Sequence, residues 1–167
     1  MKRRTFLTRS LGLASAGLVA ATLPGCGFHL RGLDLPTLGI DRLALSAPIG
    51  ELTDIVRRQL INDGVTLTEE APLRVNLGHE RIEEFILTGG DSGSQEIELR
   101  LRVPFSVQRT SDNAYLLDQQ LIEVTTFYQV SDSNLLVRSD LRKRALDELR
   151  NDAARQLLYR LRALDTP

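Results

Sequence analysis

Gly90-Asp91-Ser92-Gly93-Ser94 (GDSGS) is the one run in this chain with the look of reaction chemistry. A serine between glycines beside an aspartate is the kind of loop that carries an activated nucleophile. That chemistry needs a base to take the serine proton and a carboxylate to orient the base. His29 and His79 are the only histidines, and neither stands in a pattern that would serve Ser92. The glycines permit positive φ, and Asp91 and Ser92 favour turns, so the run is better explained as a polar hairpin loop. Glu83 and Glu84 are adjacent in an extended segment. They therefore point to opposite sides and cannot work as an acid/base pair. Two histidines and one cysteine are too few for most metal sites. No phosphate-binding glycine loop, HExxH or CxxC is present. An enzyme, a cofactor and a metal are all unexpected.

The remaining reactive group is Cys26, the single cysteine. Lys2, Arg3, Arg4 and Arg9 form a basic start, and Leu11 to Leu23 form a 13-residue run of small and apolar residues. That is the length of a signal-peptide core and too short for a bilayer span. No other segment approaches the length of a transmembrane helix. Leu23-Pro24-Gly25-Cys26 resembles a lipobox, where a signal peptide is cut and the new amino-terminal cysteine is acylated. Leu23 fills the apolar position and Gly25 the small one before the cut; Pro24 is the less usual residue. Residues 1–25 are thus a lipoprotein-type signal peptide. An N-acyl diacylglycerol group on Cys26 would be covalent, with palmitate as a typical chain. Several acyl chains on one cysteine give lasting attachment, since each buried CH₂ contributes about 0.8 kcal/mol. Arg3-Arg4-Thr5-Phe6-Leu7 also resembles the twin-arginine export motif, with Lys2 and Thr8 departing from it. An ordinary Sec signal with an arginine-rich start fits equally well.

Removal of residues 1–25 takes away four basic and no acidic residues. The mature chain then has 17 basic against 22 acidic residues, about −5, and nothing in that balance suggests nucleic acid.

The elements that would carry any site follow from periodicity. Residues 26–39 hold Gly27, Gly32, Pro36 and Gly39 without a period and read as a lipidated tether. The domain is expected over 40–167. Asp41 to Ala47 alternate as a first strand, ended by Pro48 and Gly50. Leu52, Ile55, Val56 and Leu60 recur at helical spacing over about 51–62, stopped at Asn62-Asp63-Gly64. Leu73, Val75 and Leu77 alternate, the phase slips at Gly78, and an extended pattern resumes from Ile82 to Leu87. That predicts one long strand with a bulge.

Glu96 to Gln108 give the clearest pattern. Ile97, Leu99, Leu101, Val103, Phe105 and Val107 share one face, and charged or polar residues share the other. Pro104 implies an edge or a bulge. Tyr115 to Val130 form the return strand, with Ile122, Val124, Thr126 and Tyr128 in phase. Ser139 or Asp140 can cap a final helix reaching about Leu164, with Leu141, Ala145, Leu149, Ala153 and Leu157 on one stripe. That start puts Arg142, Lys143 and Arg144 in the first turn. The cluster there is either a solvated face or a group able to meet an anion. The order is β-α-β-β-β-α. Two helices on one face of a four-stranded, mostly antiparallel sheet make an α+β two-layer sandwich.

Three stretches carry a resemblance that spans the mature chain. Cys26-Gly27-Phe28-His29-Leu30-Arg31 resembles the mature amino terminus of the LPS-assembly lipoprotein family, LptE. Ile55-Val56-Arg57-Arg58-Gln59-Leu60 with Asn62, Gly64 and Val65 is similar to its first helix, and Ala153-Ala154-Arg155-Gln156-Leu157 to the end of its last. The resemblance implies an outer-membrane protein without catalysis. It implies that the chain plugs and helps assemble the β-barrel LptD, forms the lipopolysaccharide translocon with it, and binds lipopolysaccharide. Gly27 in place of Asp implies sorting to the outer membrane. The family's lipopolysaccharide-contacting basic residue, in the loop before the last helix, falls at Arg138, beside Leu135, Leu136 and Val137. A second basic position of the family falls near Gly90, which is not basic, so Arg100 and Arg102 become candidate contacts. Their other role is cross-strand pairing with glutamates. A rival role from a different class is a stand-alone, periplasm-facing lipoprotein that binds peptidoglycan or activates a cell-wall synthase.

The lipobox predicts that Cys26→Ser abolishes palmitate labelling and releases the protein from membranes in fractionation. Unchanged labelling would rule out Cys26 as the anchor.

Overall fold

The computed structural model describes residues 38–89, 94–131 and 135–164. The signal segment expected over 1–25, Cys26 and the hexapeptide it begins, the expected tether up to Thr37 and residues 90–93 of the expected polar loop lie outside the described residues.

The elements are β1 (Arg42–Ser46), α1 (Glu51–Asn62), β2 (Thr66–Leu67), β3 (Leu73–Leu77), β4 (Arg81–Gly89), β5 (Ser94–Arg109), β6 (Tyr115–Ser131) and α2 (Leu135–Arg162). The fold is α+β with two helices, as the periodicity predicts. The sheet has six strands rather than the four expected. Both extra strands have a local cause. Thr66–Leu67 is a two-residue strand, too short to show alternation, that pairs parallel with β1. The expected long strand is divided into β3 and β4.

The division is the bulge that the phase slip at Gly78 predicts. β3 and β4 both run antiparallel to β5, end to end along the same edge of it. Leu77 pairs with Phe105, and Arg81 pairs with Arg102, so residues 78–80 oppose only residues 103–104. One extra residue is thereby absorbed. Pro104 sits opposite this break, where no ladder donor is required of it, and its carbonyl accepts from the Gly78 N–H at 2.8 Å. β5 is an interior strand, so the bulge and not an edge explains Pro104. A Cβ on Gly78 would lie 2.7 Å from Pro104 Cγ. His79 falls in this connection, exposed, and not on a strand.

α1 crosses from β1 to the strands parallel with it, β2 and β3. Gly64 ends it with φ +89, and the Val65 N–H reaches back to the Leu60 carbonyl at 3.0 Å. That is a Schellman-type stop, and both side chains are buried. At the other end, the Thr53 hydroxyl donates to the Pro48 carbonyl at 2.6 Å and satisfies the one buried polar side chain among the described residues.

The core lies between the sheet and the helices. All six predicted residues of the β5 row are buried, as are Ile122, Tyr128 and Val130 of β6. α2 covers them with Ala145, Leu149, Ala153, Leu157 and Leu161, and with Ala154 and Leu158 beside that stripe. Leu38 and Ile40 are buried as well. The folded unit therefore begins inside the 26–39 segment assigned to the tether.

α2 begins at Leu135, not at Ser139 or Asp140. Both of those residues lie within the helix, because Leu and Arg before them continue it as well as Leu141 and Arg142 after them. Arg138 is therefore in the first turn of α2 and not in a loop. Arg142, Lys143 and Arg144 fall in later turns.

Gly78→Ala should lower unfolding stability by about 1–3 kcal/mol, the range for overpacking, because neither Pro104 nor the β5 backbone can withdraw. A urea unfolding curve indistinguishable from the parent would show that the bulge has room.

Candidate functional site

Two surfaces gather charge with exposed apolar side chains. The first is the sheet face away from the helices. Register places Phe85, Glu98 and Phe127 in one row across β4, β5 and β6. The next rows are Glu83–Arg100–Thr125 and then Arg81–Arg102–Glu123. Arg102 Nε donates to Glu123 at 2.7 Å, and its Nη1 to Glu83 at 3.4 Å. Arg100 Nη2 donates to Glu98 at 2.6 Å, with Glu123 3.8 Å from its Nε. The Arg100 guanidinium lies over the Phe85 ring, 5.0 Å from its centroid. The hydrogen bond to Arg102 pulls the Glu123 carboxyl below its ordinary range, and the same bond raises the Arg102 guanidinium. Arg100 and Arg102 are thus engaged by carboxylates. The cross-strand pairing named for them from sequence is present at Arg102, whereas Arg100 bonds Glu98 of its own strand and has the cross-strand Glu123 only at 3.8 Å.

Phe85, Leu121 and Phe127 are exposed. The alternation in β5 predicts a polar face. It does not show that β4 and β6 set phenylalanines on either side of Glu98, because that row exists only once three strands are in register.

The second surface is the end of α2 nearest β4 and the last residues of β6. Glu83 and Glu84 point to opposite sides, as neighbours in a strand must. Glu84 is on the helix side. It accepts the Tyr128 hydroxyl at 3.1 Å and Arg142 Nε at 3.0 Å. Burial raises the Tyr128 hydroxyl above its ordinary range first, and the charge of Glu84 and the bond to it follow. Arg142 and Arg138 both act on that hydroxyl in the opposite direction, so the two cations share its surroundings. Arg138 is half-buried, and Val137 beside it is exposed. Ile86, one strand position beyond Glu84 on the same face, is 62% exposed. The sequence singles out Arg138 and Arg142 but not Glu84 or Tyr128, whose partners are distant along the chain.

A third charged group is structural. Arg150 of α2 is only 11% exposed at its side chain. It donates to both oxygens of Glu80, at 2.8–3.1 Å, and also pairs with Glu51. The hydrogen bond to Glu80 raises its guanidinium. It ties α2, the β3–β4 bulge and the start of α1 together.

Among the described residues no group of three or more His, Cys, Asp and Glu side chains could hold a metal ion. Among them no helix is long and apolar enough to cross a membrane.

The lipopolysaccharide-assembly family, LptE, matches residues 40–161. The chain belongs to the LptE family. It is 32% identical over 171 residues to the LPS-assembly lipoprotein LptE of Pectobacterium atrosepticum, covering 96% of this chain and 86% of that one. Rare lipoprotein B from Shewanella oneidensis has the same fold, with a TM-score of 0.63 at 25% identity over 73% of this chain and 94% of that one. Lipoprotein B from Nitrosomonas europaea gives a TM-score of 0.62 at 24% identity, over 79% of this chain and 88% of that one. The LptE match contains both charged surfaces and the whole of β4, β5 and β6.

The low Glu123 carboxyl sets a sign. A carboxyl held below its unfolded value adds stability at pH above that value and loses it as pH falls through the folded value. Glu123→Gln should therefore unfold slightly more easily at neutral pH, and its denaturation midpoint should fall less between about pH 6 and pH 3. Parallel pH profiles for the two proteins would show that the pair contributes nothing.

Proposed function

We propose that this LptE-family chain is an outer-membrane lipoprotein of lipopolysaccharide assembly, held by acylated Cys26 on the periplasmic side. Within that role it occupies the lumen of the β-barrel LptD, helps the barrel assemble, and binds the lipopolysaccharide that the pair inserts into the outer leaflet. The work is binding and positioning, without catalysis and without a cofactor. The observation that carries this is the family match over residues 40–161, all but the ends of the described fold.

Two surface properties support it. A barrel lumen is wet and lined with polar groups. A sheet face where Arg–Glu pairs alternate with Phe85, Leu121 and Phe127 suits such a wall, because interfaces of this kind mix charge with aromatic anchors. Lipopolysaccharide presents phosphates beside acyl chains. A partner for it wants cations next to exposed apolar side chains. Arg138 with Val137 and Ile86 has that composition. Arg100 and Arg102 remain secondary contacts in this proposal, since a phosphate would have to compete with Glu98, Glu83 and Glu123 for them.

A tagged copy drawn from outer membranes in mild detergent should bring down one large β-barrel in equal amount, carrying lipopolysaccharide. Recovery alone, or with a cell-wall synthase, would favour the stand-alone lipoprotein role instead. Arg138→Asp should weaken lipopolysaccharide binding by roughly tenfold or more with the unfolding curve unchanged. Equal affinity would remove Arg138 from the site.

A further inference from the structure

The inward stripe of α2 is apolar along its length, and cations flank its first turns. Leu161, Leu157, Ala153, Leu149 and Ala145 are apolar and buried under the sheet. The stripe goes on to Leu141, partly buried against the core, and Arg142 and Arg138, three and seven residues before Ala145, flank it. They stand four apart and so share one helix face. The start of a helix is where its macrodipole opposes cations, and α2 has no acidic residue in its first turn to offset Arg138. Local stability therefore does not account for a basic pair there. Places where a sequence departs from its own local preference are commonly functional.

Arg142 pairs with Glu84, and Arg138 lies one turn before it on α2, near enough to act on the Tyr128 hydroxyl that Glu84 also holds. Glu84 takes a hydrogen bond from Arg142 through one oxygen and from Tyr128 through the other. Two oxygens of one anion, each held by a separate donor, is also how a phosphate group is bound. The Arg142–Glu84 pair is open to water, with side chains 47% and 31% exposed, so exchange of its anion is cheap. Arg138 and Arg142 together carry two positive charges against the one negative charge of Glu84.

Resting on the lipopolysaccharide-binding role given to Arg138, we propose that Arg142 and Arg138 together seat a phosphate of that amphiphile, and that Glu84 occupies Arg142 until the phosphate displaces it. A phosphate has more charge and more acceptor oxygens than a carboxylate, which favours the exchange. The Tyr128 hydroxyl, freed from Glu84, can donate to the incoming group. Arg142 then supplies the second cation that Gly90 does not.

The test uses the full acylated chain in detergent, with purified lipopolysaccharide and the same material stripped of its phosphates. Arg142→Gln should weaken binding of the phosphorylated form by about tenfold, and Glu84→Gln should tighten it about threefold or more. In the Arg142→Gln background, Glu84→Gln should add nothing, and dephosphorylated ligand should erase all of these differences. Unfolding curves, together with Arg142→Lys retaining most of the affinity, separate a lost contact from a lost fold. Arg142→Gln without effect while Arg138→Asp weakens binding would overturn the two-cation seat and leave the role of Arg138 standing. Arg138→Asp without effect while Arg142→Gln weakens binding would also overturn it. If both are silent, the seat and the Arg138 role fall together. Glu84→Gln that leaves affinity unchanged or lower would overturn the displacement.

Discussion

The contact on which the rest of the molecule depends is the burial of one face of β5 beneath α2. Ile97, Leu99, Leu101, Val103, Phe105 and Val107 are all buried, and each such side chain contributes about 1.5–3 kcal/mol before the entropy of ordering is charged against it. β5 is also the strand to which β3, β4 and β6 all bond. One strand therefore sets both the layer spacing and the register of its neighbours. A slip by one residue would turn that apolar row to water and bring glutamates and arginines into the core.

Fixing β5 in this way forces two consequences on its neighbours. The β3–β4 segment has one residue too many to follow β5 without interruption, so it breaks at Gly78 opposite Pro104. Arg150 then fastens that break to both helices through Glu80 and Glu51. On the far side, β6 repeats the alternation of β5 and leaves Glu123, Thr125 and Phe127 on the open face. That face owes its Arg–Glu ladder and its paired phenylalanines to three strands held in a single register.

The two charged surfaces are different in kind. On the open face Arg100 and Arg102 each have a carboxylate within the sheet, so the β5 charges there are compensated locally. At the start of α2 Arg138 and Arg142 flank the apolar stripe, and among the described residues Arg142 pairs with Glu84. The second surface has charge left to offer, beside Ile86 and Val137.

The sequence by itself determined a good deal of this. The period-two row of β5, the 51–62 helix and the phase slip at Gly78 were legible because they are local: a face that must be buried writes its period into consecutive residues. The same holds for the cross-strand pairing of Arg102 with glutamates, since alternating charges on neighbouring strands have few other partners. Arg138 was reached through family resemblance and was placed one element too early, because Ser139 and Asp140 imitate a helix start. Only the tertiary structure decided that Thr66–Leu67 joins the sheet, that Leu38 belongs to the core, and that Glu84 meets both Tyr128 and Arg142. The pairings among them link residues 24 to 58 positions apart: Arg42 is 24 from Thr66, and Glu84 lies 58 residues from Arg142 and 44 from Tyr128. No local period records such a meeting, because it exists only when β4 and β6 are both paired to β5 and α2 is laid across them.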